Sequence, residues 1–203
     1  MNESQTRLDK IDPKLKQAGW NVTDDSRIIT EFTISRGKIS ASEKPKPLKA
    51  DYLLSYKGVK LAVVEAKSDE LSVGEGVMQA KLYAQMLQIR YTYATNGDEI
   101  YEIDMQTGHE GVVVAFPSPD ELWQRTFGEV NQWRDKFYAE PFYFDEGKQL
   151  RYYQEIAVNR VLEAIADEKK RILLTLATGT GKTMLAFQIA WKLYQTRWNI
   201  HNN

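Results

Sequence analysis

The chain has 203 residues, a formal net charge of -1, 42% hydrophobic and 27% charged residues, and no cysteine. That balance describes a globular protein with material for a core, and it excludes a disulfide scaffold, a thiolate metal centre and a nucleic-acid binder held by net charge alone. No apolar run approaches bilayer-spanning length, the start "MNESQTRLDK" lacks the apolar stretch of a signal peptide, and two histidines (His109, His201) leave oxygen as the donor for any metal, so a cytoplasmic protein is expected.

In chain order, "TRLDKIDPKLKQAGW" reads as an amphipathic helix with Leu8, Ile11, Leu15 and Ala18 near helical spacing and Gly19 as its stop. "RIITEFTI" alternates apolar and polar residues and reads as a strand. A basic segment follows, "SRGKISASEKPKPLKAD", with Arg36, Lys38, Lys44, Lys46 and Lys49 against Glu43. It reads as a solvated loop, or as an arm on a nucleic-acid backbone if a phosphodiester-cutting site lies beside it. "ADYLLSY" and "VKLAVVEAK" read as two strands joined at a "KG" hairpin turn. "VGEGVMQAKLYAQMLQIR" is a predicted helix with Val77, Leu82, Met86 and Ile89 on one side. "YTYATNG", "EIYEIDM" and "VVVAF" are further strands, and "SPDELWQRTFGEVNQWRDKFY" is one helix carrying Leu122, Phe127, Val130 and Trp133.

The pattern predicts an α/β fold, a mixed, mainly antiparallel sheet flanked by helices, over residues 1–140. The aromatic segment at 141–150 reads as a connector. Residues 151–203, a helix, a strand and a Gly-rich loop leading into a second helix, read as a different, incomplete domain.

Two places carry chemistry. Side chains at i and i+2 of a strand share a face, so Glu65 and Lys67 project together, and pairing about the "KG" turn brings Asp51 near them. Two carboxylates there suit Mg²⁺, which takes few protein oxygens and keeps waters. Such a metal activates water and neutralises phosphate charge, and Lys67 is suited to orient or deprotonate that water or to stabilise the pentacovalent phosphate. The alternative is an ordinary charged pair on an edge strand, and the apolar run "LAVVEAK", with its charges at the end, weighs against it. Glu31, on the preceding strand, is a weaker further acidic candidate.

The second place is "RILLTLATGTGKTMLAFQIAWKL", a strand, a loop and a helix. Thr178, Gly179, Thr180 and Gly181 form a loop whose N–H groups wrap phosphates, Lys182 reaches the β/γ-phosphates, and Thr183 ligates Mg²⁺. Leu176 stands where the strict Walker A pattern has glycine.

"ADYLLSYKGVKLAVVEAK" resembles the PD-(D/E)xK nuclease core, with Ala50 in place of the proline. "QAKLY", with Gln79 and Tyr83, resembles the Q-x-x-x-Y element of RecB-like nucleases and type I restriction motor subunits. That resemblance implies that both residues contact DNA or steady the active site. "ATGTGKT" resembles the first motif of superfamily-two helicases, and "LRYYQEIAVNRVLEAI" their Q-motif helix, in which Gln154 reads the adenine with Arg151 assisting. In this order, nearly the whole chain resembles the start of a type I restriction endonuclease R subunit. The resemblance implies a Mg²⁺- and ATP-dependent enzyme that translocates double-stranded DNA, joins modification and specificity subunits, and cuts with little sequence preference. No acidic Walker B strand follows the loop, so the segment is expected to be a truncated motor lobe that does not hydrolyse ATP alone. Two other readings are a silent DNA-binding or assembly module, against which the intact Asp51, Glu65 and Lys67 argue, and a nuclease–helicase fusion outside restriction.

Overall fold

The computed structural model describes residues 1–34, 48–128, 130–144 and 149–198. The Lys/Pro part of the basic segment and residues 145–148 of the expected connector lie outside them. The chain divides into two compact units, Met1–Gly128 and Glu129–Asn203.

The first unit is built on a six-stranded sheet in the order β1-β2-β3-β4-β5-β6. The strands are β1 Ser26–Ile34, β2 Leu48–Tyr56, β3 Val59–Ala66, β4 Tyr91–Thr95, β5 Ile100–Asp104 and β6 Glu110–Val113. All neighbours are antiparallel except β3 and β4. The "KG" turn joins Tyr56 to Val59, with Lys57 at φ 49° and Gly58 at φ 76°. Two successive left-handed residues match the right-handed twist of a two-residue hairpin, and the glycine makes the second of them cheap. β3 is central and almost wholly buried, which accounts for its unbroken apolar run. The last strand lies two residues earlier than "VVVAF" predicts, and Val114 is fully exposed beyond it.

Helix α3, Gly74–Leu87, makes the crossover between parallel β3 and β4. Its buried residues are Gly76, Ala80, Tyr83, Ala84 and Leu87, so the face with Val77, Leu82 and Met86 is not the one against the sheet. Small residues at i, i+4 and i+8 let the helix backbone approach the strands closely, which outweighs the larger apolar stripe. The N-terminal helix is also irregular: α1 Glu3–Thr6 and α2 Asp12–Gln17 flank a π-helical turn, Arg7–Ile11. Ile11 and Leu15 are fully buried, whereas Leu8 is 64% exposed, contrary to the regular helical reading. Trp20, buried next to them, donates its indole N–H to Pro117 O at 2.9 Å.

The predicted long helix after "SPD" is two. α4, Pro119–Phe127, starts with a capping box between Ser118 and Glu121, and stops at Gly128, whose φ of 67° leaves the helix. α5, Gln132–Ala139, belongs to the second unit, which moves the division about twelve residues ahead of the expected connector. Val130, expected on the helix face, is 78% exposed between them.

The second unit contains α5, α6 (Tyr152–Ala166) and α7 (Lys182–Gln195) around Phe137, Ala157, Val158, Leu162, Ala166 and Leu185. Residues 171–177, expected as a strand, have no ladder. A strand needs hydrogen-bonded neighbours, and none pairs with this segment among the described residues. Leu173 is 92% exposed there.

In the first unit, Asp104 accepts a forked pair of hydrogen bonds from Arg90, 3.1 Å from Nε and 2.8 Å from Nη2, and another from Gln106 N. Chiefly through Arg90, its pKa is held well below the usual carboxylate range. A depressed carboxylate stabilises the fold above its unfolded pKa and loses that contribution as pH falls toward the folded value. Asp104→Asn is therefore expected to cost about 1–2 kcal/mol at neutral pH, less as the medium becomes acidic, in urea melts at several pH values.

Candidate active site

Asp51 lies near the start of β2, Glu65 is the penultimate residue of β3, and Lys67 follows it. The Lys67 N–H donates to Thr95 O at 2.8 Å, which extends the β3–β4 ladder by one residue and keeps Lys67 on the Glu65 face. Asp51 Oδ2 accepts from the N–H of Ala66 at 2.8 Å, tying β2's carboxylate to the end of β3. Lys67 Nζ donates to Glu65 Oε1 at 2.8 Å and, more weakly, to Gln79 Oε1 at 3.4 Å. Gln79 Nε2 donates to the Tyr83 hydroxyl at 2.7 Å. The five residues picked from the sequence thus lie in one connected cluster. Helix α3 brings Gln79 and Tyr83 there because they stand one turn apart.

Glu65 is only 1% exposed. Its second oxygen, Oε2, is buried with no hydrogen-bond partner among the described residues. Desolvation pushes its pKa up to about 7 despite the opposing hydrogen bond from Lys67, and the nearby Asp51 charge adds to the rise. Burial alone lowers an ammonium's pKa, but for Lys67 the hydrogen bond and charge of Glu65 outweigh it and the net direction is upward. Lys67 is therefore a cation at neutral pH.

An orphaned carboxylate oxygen in a buried pocket costs on the order of 1–3 kcal/mol, and a hard cation relieves that cost. Among the described residues no group of three or more His, Cys, Asp or Glu could hold a metal. Two carboxylates still fit Mg²⁺, which completes its shell with water. Glu31 lies between Thr30 and Phe32, which pair with Tyr52 and Ala50 on either side of Asp51, but it is exposed and its carboxylate pairs with Lys49 at 3.3 Å. Its φ of 51° is a left-handed conformation that costs a non-glycine residue about 1 kcal/mol or more.

Two neighbours carry no signal in the sequence pattern. Arg7 Nη1 stands 3.7 Å from Asp51 Oδ1. Gly76, in the first turn of α3, sits so close that an added Cβ would lie 3.3 Å from Ala94 Cβ, 3.4 Å from Glu65 Cγ and 3.5 Å from Lys67 Cγ. Gly76→Ala gains helix propensity and loses room, so its stability is expected to change by less than about 1 kcal/mol. Only the Ala94 contact is tight, and those with the Glu65 and Lys67 stems are ordinary van der Waals distances, so thermal melts of the variant and wild type are expected to agree within a few degrees.

In the second unit, Gly181 caps α7 at φ 87°, and Gly179 has φ 76° with open space about it. Lys182 Nζ donates to Ala177 O at 3.0 Å, and Thr180 Oγ1 to the same carbonyl at 2.7 Å. Thr178 and Thr183 are exposed. Gln154 is already engaged at both ends: Oε1 accepts from Arg151 N at 2.9 Å and Nε2 donates to Thr180 O at 2.8 Å. In this arrangement Gln154 braces the loop. Arg151 starts α6 on the surface, its guanidinium donating to the Tyr153 hydroxyl.

Residues 147–201 match the family model described as "Type III restriction enzyme, res subunit". The chain is 38% identical, over 91% of its length, to the type I restriction enzyme EcoAI endonuclease subunit of Escherichia coli, and covers 24% of that protein. It is 26% identical, over 97% of its length, to the EcoKI endonuclease subunit of E. coli strain K12, covering 22% of it. The chain thus spans about a quarter of the length of these curated relatives. A solved fragment assigned as the HsdR subunit of a type I restriction enzyme from Vibrio vulnificus YJ016 matches at 40% identity with a TM-score of 0.86, over 98% of this chain and 39% of that one. Across nearly all of its length, then, this chain is similar to part of the endonuclease subunits of type I restriction enzymes.

Proposed function

We propose that the first unit is a Mg²⁺-dependent DNA endonuclease module and that the second is the opening of an ATP-driven translocase lobe of a type I restriction R subunit. In this reading the full-length subunit works in the cytoplasm with modification and specificity subunits on double-stranded DNA. The observation that carries it is the buried, unpartnered Oε2 of Glu65 beside Asp51, with Lys67 on the same face. Asp51 and Glu65 would hold the metal, which when bound activates water and offsets phosphate charge.

The residues of the chain set the rest of the mechanism. Lys67, kept protonated by Glu65, serves as a cation facing the phosphate or the attacking water rather than as a base. Gln79 accepts from Lys67 and donates to Tyr83, so the ammonium is held from both sides. The Ala66 N–H fixes one oxygen of Asp51, leaving the other as a metal donor.

Soaking crystals in Mn²⁺ tests the reading by anomalous scattering. A single peak bound by both Asp51 and Glu65 is expected. Ordered Mn²⁺ elsewhere, with this pair bare, would sink it.

A further inference from the structure

The π-helical turn Arg7–Ile11 takes up an extra residue within an otherwise α-helical segment. With Leu8 exposed, it brings Arg7 to the sheet. The guanidinium lies over the Tyr52 ring, 4.7 Å from its centroid. Nε donates to the Tyr52 hydroxyl at 3.3 Å, Nη2 donates to Asp51 O at 3.4 Å, and Nη1 faces Asp51 Oδ1 at 3.7 Å.

The turn is firmly seated. Thr6 is fully buried, accepts from Asp69 N at 3.3 Å and donates to Asn2 O at 3.0 Å. Lys10 bonds Asp69 and Asp98, each at 2.9 Å. The Tyr52 hydroxyl donates to Asp12 at 2.8 Å, which fixes the ring beneath Arg7.

Against this rigid mounting, the contacts of the guanidinium itself are loose. A guanidinium whose task is to hold a carboxylate makes the short fork seen here between Arg90 and Asp104, at 3.1 and 2.8 Å. Arg7 makes no such fork with Asp51, and its three polar contacts among the described residues are all longer than an ordinary N–H···O bond. Its N–H groups therefore stand beside the carboxylate pair without a short partner among the described residues. The charges around it call for such a cation. Asp51 and Glu65 repel a phosphate, Glu31 and Asp12 add negative charge nearby, and the Lys67 ammonium is engaged with Glu65 at 2.8 Å.

We propose that Arg7 binds the non-bridging oxygens of the DNA phosphate seated at the Asp51–Glu65 centre, an inference that rests on the endonuclease reading. Its planar fork matches phosphate oxygens, and the Tyr52 ring holds its plane.

Two equilibrium measurements on the full chain test this: Mn²⁺ binding followed by the free-ion EPR signal, and binding of a short duplex by fluorescence anisotropy in Ca²⁺ as salt is varied. In Arg7→Ala, Mn²⁺ should bind tighter, by roughly threefold or more, because a positive charge beside the carboxylates is gone. Duplex affinity should fall by about tenfold, and the slope of log K against log salt should shrink by about one phosphate contact. Arg7→Lys should keep that slope while losing part of the affinity, and it decides the matter if the alanine variant fails to fold. Unchanged duplex affinity and slope in both variants would overturn the inference alone. Mn²⁺ binding weakened as in Asp51→Asn, with the salt slope intact, would reduce Arg7 to a support for Asp51 and overturn it as well. Wild-type Mn²⁺ binding that survives both Asp51→Asn and Glu65→Gln would remove the centre itself, and the endonuclease reading with it.

Discussion

Glu65→Gln is expected to abolish DNA cleavage, by about a thousandfold or more in the reconstituted enzyme, while making the metal-free chain more stable above neutral pH. The two effects have one cause. Glu65 is almost completely buried, and one of its oxygens meets no donor among the described residues. Its pKa in the fold, about 7, lies above the ordinary 4.5. A carboxylate with a raised folded pKa binds its proton more tightly in the native state, so its contribution to stability is complete at low pH and is lost as pH rises through the folded value. Between about pH 4.5 and 7 that loss is on the order of 2–3 kcal/mol. Glutamine carries no charge to desolvate, keeps an acceptor for the Lys67 ammonium, and places an amide donor beside the Asp51 carboxylate. The melting temperatures of wild type and variant in EDTA should converge near pH 5 and separate at pH 8, with the variant higher. A variant that is less stable than wild type at pH 8, or that still cuts DNA, would show that Glu65 is an ordinary buried glutamate. Asp51→Ala and Lys67→Ala should match the loss of cleavage, and ATP hydrolysis by the full-length subunit should persist in all three.

All six strands of the sheet were legible in the sequence, because period-two alternation in β1 and an unbroken apolar run in β3 are each a direct print of how a strand is buried. In the candidate centre, Glu65 and Lys67 were legible as i, i+2 neighbours on one strand and Asp51 through pairing about the "KG" turn, whereas Gln79 and Tyr83 entered through the resemblance of "QAKLY" to the Q-x-x-x-Y element. What periodicity does not carry is the choice between two plausible helix faces. In α3 the larger apolar residues lost to Gly76, Ala80 and Ala84, since the parallel crossover demands close approach. It also assumes a regular helix, and so missed the π-helical turn that brings Arg7 to Asp51. Gly128 was passed over inside a continuous helical pattern, although its left-handed backbone divides α4 from α5. Segment 171–177 shows the reverse case: its composition asks for a strand, but a ladder is a property of neighbours, and none pairs with it here.

Lys182→Ala in the full-length subunit should abolish ATP use, by about a hundredfold or more, and cleavage should then fail only because DNA is no longer moved. In the proposed reading this loop receives an anion: Gly179 and Gly181 hold left-handed backbone, α7 starts directly after, and the Lys182 ammonium folds back onto Ala177 O at 3.0 Å. In that reading the carbonyl is a placeholder partner, weaker than the charged phosphate oxygens that would replace it when a nucleotide enters. Gln154 supports the same loop from outside. Its amide reaches Thr180 O at 2.8 Å, and a Cβ on Gly181 would come within 2.6 Å of it. Gln154→Ala should therefore weaken nucleotide binding through a loosened loop, with a smaller effect than Lys182→Ala. The two active centres separate cleanly under this scheme: Glu65→Gln leaves ATP consumption intact and cutting absent, whereas Lys182→Ala removes both. If Lys182→Ala left ATP hydrolysis by the full-length subunit unimpaired, the 177–183 loop would not be its nucleotide site, and the motor reading of the second unit would fall while the nuclease reading of the first stood.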